Sequence, residues 1–197
     1  MKYALVLTAG AVILESGCGM FSDHLTFRAK VADVQNGRNS LVKNKQPDDY
    51  VEITLPGKLE NPPTPVDQIA RSQADWSTPE QAARSILSAN AAGDRSWIIE
   101  NYVPSERAAV GQRLSDPQVF RTTVTYYQNL GRISLTGWTD LHGFRFLFVQ
   151  GVDEDGDASI LALVLSKTPT GWRQTEALTH DETFEIVWTA LHTGGVH

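Results

Sequence analysis

The chain has 197 residues, 41% of them hydrophobic, with a formal net charge of −6 and a single cysteine. That length suits one domain, or one domain with an extension, and is enough to build a core without covalent staples. The acidic balance leaves no basic stripe, which excludes nucleic acid and anionic lipid headgroups as expected partners. A lone cysteine leaves no disulfide within the chain.

Met1-Lys2-Tyr3 carries one positive charge, and Ala4 to Leu14 is an apolar run broken only by Thr8 and Gly10. A charged start, a short apolar segment and small residues describe a secretory signal over residues 1–17. The run is shorter than the about 20 residues that span a bilayer, and no later stretch approaches that length. Ser16-Gly17-Cys18 resembles the lipobox of bacterial lipoproteins, with Glu15 where that pattern prefers an aliphatic residue. The resemblance implies cleavage before Cys18, lipid on that cysteine and a tether over residues 18–24. It places the protein on a membrane of the bacterial cell envelope, at the periplasmic face of the outer membrane in a Gram-negative cell. A cleaved signal without lipid and an uncleaved apolar anchor remain the other readings of these residues.

From Leu25 the chain alternates, with Leu25, Phe27, Ala29 and Val31 opposite Thr26, Arg28 and Lys30, which predicts a strand. Asn36-Gly37 is a tight-turn signal, and Tyr50 to Leu55 reads as a second strand stopped by Pro56-Gly57. Leu59 to Pro65 holds three prolines and reads as an extended linker. Residues 25–65 are thus expected to form a small β extension with a Pro-rich linker, ahead of a main domain over 66–197.

The main domain opens with Thr78 as helix cap, Pro79 in the first turn and Gln81 completing a capping box. Ala82, Ala83, Ile86, Leu87 and Ala89 supply the buried stripe. Gly93-Asp94 ends this helix and starts a short one that buries Trp97, Ile98 and Tyr102, and Ser105 to Leu114 reads as a further turn or helix. From Phe120 the texture turns to strand: Thr122–Tyr127, Arg132–Trp138, Phe144–Val152, Ser159–Ser166 and Trp172–Leu178. Short connections between successive strands predict an antiparallel meander. Thr179-His180-Asp181-Glu182 then caps a C-terminal helix with Phe184, Val187, Trp188 and Leu191 on one face and Gly194 beyond its end. Helices followed by a meander give an α+β domain, with N-terminal helices packed on a curved antiparallel sheet.

Ser77-Thr78-Pro79-Glu80-Gln81-Ala82-Ala83, Ala91-Ala92-Gly93-Asp94, Tyr102-Val103-Pro104 and Gly171-Trp172-Arg173 together resemble NTF2-like domains over roughly residues 76–178. That resemblance implies a cone between helices and sheet. The fold hosts enzymes, transport factors, secretion-system subunits and binding domains, so it implies no one activity.

Candidate chemistry is sparse. Asp153-Glu154-Asp155-Gly156-Asp157 lacks the spacing of a calcium loop and reads as a solvated hairpin turn. Asp140 with His142, and His180 with Asp181 and Glu182, are the close carboxylate–imidazole sets, and Arg145, between Phe144 and Phe146, is a candidate pocket cation. Asp140, His142, His180 and Arg145 are expected at a pocket or an interface. No nucleophile triad, metal-spaced cluster or phosphate loop is present, so no catalytic residue, metal or cofactor is expected and the chain is read as no enzyme. The two central strands are apolar on both faces. The alternation groups Leu147 and Val149 with Ile160, Ala162 and Val164, and Phe144, Phe146 and Phe148 with Leu161, Leu163 and Leu165. Both faces therefore need cover, from the helices, the β extension or a second subunit. The expected function is binding to another envelope protein, with a protein partner or a homodimer through the sheet. A small-molecule binder or an enzyme using the cone is the alternative.

Overall fold

The structure, a computed structural model, describes residues 23–34 and 39–197. The expected signal, Cys18, residues 18–22 of the tether and the Asn36-Gly37 turn lie outside them. Among the described residues are five α-helices and one six-stranded antiparallel sheet with its strands in chain order. The class is α+β.

α1 (Pro79–Ala92) begins where its cap predicts: the Thr78 side chain accepts from the Gln81 N–H, and Gly93 closes the helix in the left-handed conformation. The Gln81 side chain accepts from Arg84 rather than reaching back to Thr78, so the capping box is half formed. α2 (Arg95–Glu100) is capped by Asp94 and buries Trp97 and Ile98, and α3 (Arg107–Arg113) follows.

The strand expected at Thr122–Tyr127 is instead the second half of α4 (Pro117–Gln128). Its β-branched run favours a strand locally, but Asp116 and Pro117 form a strong helix start. The Asp116 carboxylate accepts from the Gln118 N–H at 2.7 Å and the Val119 N–H at 3.4 Å. The far end is held on α1, where the Gln128 amide donates to the Ala91 carbonyl at 3.0 Å. Asp116→Ala is expected to cost about 1 kcal/mol in urea denaturation. An unchanged midpoint would mean that the cap does not hold this helix.

β1 (His24–Lys30) and β2 (Tyr50–Pro65) correct the reading of a short strand and a linker. β2 runs through Pro56-Gly57 and changes partner there. Tyr50–Pro56 pairs with β1 and Gly57–Pro65 with β3 (Arg132–Leu141). The prolines fit because the register breaks between Leu59 and Thr64, so Pro62 and Pro63 lie where no ladder N–H is required. β4 (Phe144–Val152), β5 (Ala158–Thr168) and β6 (Gly171–Gln174) complete the sheet.

Both faces of β4 and β5 are covered, but the rows pair differently from the sequence grouping. The register sets Leu147 opposite Leu163 and Val149 opposite Leu161, whereas Phe146 meets Val164 and Phe148 meets Ala162. Directly opposed side chains share a face. Leu147, Val149, Leu161, Leu163 and Leu165 therefore pack with Ala82, Ala83, Ile86 and Leu87 of α1. Phe146 and Phe148 pack on the other side with Leu25 and Phe27 of β1 and Val187 and Ala190 of α5 (Glu182–Thr193). The β extension and the C-terminal helix thus supply the second cover from within the chain. The cap of α5 is Asp181, whose carboxylate accepts from the Phe184 N–H at 2.8 Å. After α5 the backbone turns onto β1, where Thr26 and His197 exchange hydrogen bonds and Arg28 N–H donates to Gly195. On the far side, Trp172 N–H donates to Trp76, and Gln174 exchanges bonds with Asn101 and Val103.

Candidate functional site

The β3–β4 turn is His142-Gly143, with φ of 52° and 82°, the positive pair that a type I′ hairpin requires. This tight turn places Asp140 directly opposite Arg145. Asp140 is therefore in strand β3, which runs past the Trp138 end expected from the sequence. Arg145 Nε and Nη2 lie 2.8 and 2.7 Å from the two Asp140 carboxylate oxygens, a bidentate pair. The guanidinium carbon stands 4.0 Å from the Trp138 ring centre and 6.0 Å from that of Trp172. The hydrogen bonds and charge of Asp140 hold Arg145 above its ordinary pKa. Arg145 is thus a neutralised, stacked cation rather than a free one awaiting an anion.

His142 does not join this pair. Its Nε2 lies 3.4 Å from the Asp181 carboxylate at the α5 cap, and its side chain is exposed. His180 is exposed in the turn before α5. Asp140 commits both oxygens to Arg145 and does not orient either imidazole. The four residues form a bridge along the hairpin and a contact to α5, not one convergent site.

Beside the Trp138–Arg145 stack is a feature that the sequence reading missed. Glu60, Asn61, Pro62 and Pro63 bulge out of β2 opposite the single β3 residue Thr136, because Leu59 pairs with Gly137 and Thr64 with Leu135. β3 slips against β4 at the same place, between Leu135 and Gly137. Bulges of this kind re-aim side chains and open gaps in a sheet. The gap here is a cleft of about 50 Å³ with Leu135, Gly137 and Leu147 at its floor and Trp138 as a wall. Glu60 and Thr64 from the bulged strand and Glu80 from the first turn of α1 complete it. Residues 60, 80 and 138 are far apart in sequence, and Glu60 sits in the stretch read as a linker, so no local motif signals the cleft. Three shallower clefts of about 240, 210 and 240 Å³ border the end of α5.

Arg173 of β6 is a second unusual cation. It is buried, stacks 4.1 Å from the Trp76 ring centre and donates to the Trp172 carbonyl, while its Nε has no partner. Burial, with Arg107 nearby, lowers its pKa. Among the described residues, no three His, Cys, Asp or Glu side chains group to hold a metal, and no helix is long and apolar enough to cross a membrane. The Asp153 carboxylate accepts from the N–H groups of Asp155 and Asp157 within its own turn.

No protein-family model matches the chain, and no curated protein matches it. Among solved structures, it is similar to a Campylobacter jejuni protein provisionally described as an NTF2-like transpeptidase. That likeness has a TM-score of 0.40 and 16% sequence identity and covers 50% of this chain and 97% of that one. It is too slight to carry an activity across. The reading of the chain as no enzyme is nonetheless corrected, because missing triads or metal clusters do not exclude catalysis.

Proposed function

We propose that the protein is a lipid-anchored component of the bacterial cell envelope that binds another envelope protein through the surface of its NTF2-like α+β domain. The observation that carries this reading is the filled interior between α1 and the sheet. Ala82, Ala83, Ile86, Leu147, Val149, Leu163 and Leu165 occupy it almost without exposed surface. The cleft left at its edge, about 50 Å³, is far below the roughly 300–1,000 Å³ of small-molecule sites. A domain filled in this way meets its ligand at the surface. Ser16-Gly17-Cys18 after the apolar run supports the anchor.

Palmitate labelling of growing cells tests the anchor. Wild type is expected to take up label and fractionate with membranes, and Cys18→Ala to lose the label. An unlabelled wild type would end the lipoprotein reading. A photo-crosslinker at exposed Thr64 tests the binding. It is expected to give one defined adduct in intact cells, absent when the crosslinker sits at exposed Lys167. The adduct's mass separates a different envelope protein from a second copy of this chain, and no adduct would sink the reading.

A further inference from the structure

We propose that the cleft between the β2 bulge, Glu80 and Trp138 receives a lysine side chain of the partner protein. The proposal rests on the surface-binding reading and specifies what the partner presents. The floor is hydrocarbon, with Leu135 and Leu147 buried from solvent elsewhere. Above it stand two carboxylates, Glu60 and Glu80, beside an indole. Among the described residues Glu80 has no ion pair. Glu60 meets Lys58 at 3.6 Å, with the glutamate side chain 31% and the lysine 49% exposed, so this pair offsets part of the rim's charge. The strong cation nearby, Arg145, is matched by Asp140 and also attracts Glu80, so Glu60, Glu80 and Asp140 together exceed Lys58 and Arg145 by one negative charge.

Hydrocarbon below and an excess of negative charge above complement a run of methylenes ending in an ammonium. Size narrows the choice. One water takes about 10–15 Å³ of such space, so about 50 Å³ holds a handful of heavy atoms. The aminobutyl end of lysine is of that size, whereas a whole aromatic side chain is larger.

The test uses the full chain in detergent micelles with labelled leucine methyls, and n-butylammonium as the probe. The Leu135 and Leu147 methyl signals are expected to shift and saturate at millimolar probe. n-Butanol, of the same shape without charge, is expected to bind at least tenfold more weakly. Glu60→Gln with Glu80→Gln, two substitutions that keep side-chain size, should remove that preference and weaken the Thr64 crosslink in cells at least fivefold. Equal shifts with n-butanol, or shifts that leave these leucines unmoved, would overturn the proposal. So would a crosslink of undiminished strength in the doubly substituted chain, which would leave the surface-binding reading standing. A missing crosslink in the wild type would instead defeat that reading.

Discussion

Leu163→Asp and Phe148→Asp are each expected to prevent folding. Leu163 is 1% exposed against α1, and Phe148 is 1% exposed against β1 and α5. Phe148 also meets the Phe27 ring edge-on at 6.0 Å. A carboxylate at either position has no cation to pair with in its core cluster. It must stay buried at a cost of several kcal/mol or take a proton, and the lost packing adds a further few. Against a total stability of about 5–15 kcal/mol for a domain, that is enough to unfold it. Circular dichroism and limited proteolysis read the outcome, with Lys167→Asp on exposed β5 surface as a control expected within about 0.5 kcal/mol of wild type. A cooperative, unshifted melt for Phe148→Asp alone would mean that α5 and β1 do not cover that face.

Gly171→Ala is the second substitution with a large expected effect. Gly171 has φ +104°, and a Cβ there would collide with the Trp76 carbonyl oxygen, which accepts from the Trp172 N–H at 2.7 Å. Alanine pushes the Trp76 segment off β6. That movement breaks this bond, the 2.7 Å bond from the Trp76 indole to Asn101, and the stack over Arg173. A loss of about 3 kcal/mol is expected in urea denaturation. Gly143→Ala separates the collision from the conformation. Gly143 also has positive φ, +82°, but open space around its Cβ position, so only the about 1–2 kcal/mol of left-handed backbone is at stake. Equal losses at the two glycines would show that the contact with Trp76 contributes nothing.

Where local signals agreed, the fold was legible. Thr78-Pro79 before an apolar stripe located α1, alternation located β1, apolar strand texture between short connections located β3, β4 and β5, and the acids after Thr179 with Gly194 bounded α5. The misses came from signals in conflict. In α4 the β-branched run from Thr122 to Thr125 reads as a strand, but the Asp116 cap and the contact with α1 decide it in the folded chain. In β2 three prolines read as a break, because nothing local shows that the partner strand asks no hydrogen bond of Pro62 or Pro63. Alternation gave two rows on β4 and two on β5, but only the register tells which row joins which. The site was less legible. Asp140 and Arg145 were singled out and do pair, across the tight His142-Gly143 turn. Glu60, Glu80 and Trp138 meet only because two slips in register coincide.

The hydrogen bonds at the sheet's two margins bear on how copies of this protein meet. An open strand margin is a template on which another chain can add itself and grow fibrils. Here Gly195 and His197 bond to β1, and Trp76, Asn101 and Val103 bond to β6. Among the described residues each margin thus has backbone partners of its own. Another copy must first displace them before it can extend the sheet, so crowding favours contacts through side chains over runaway strand addition.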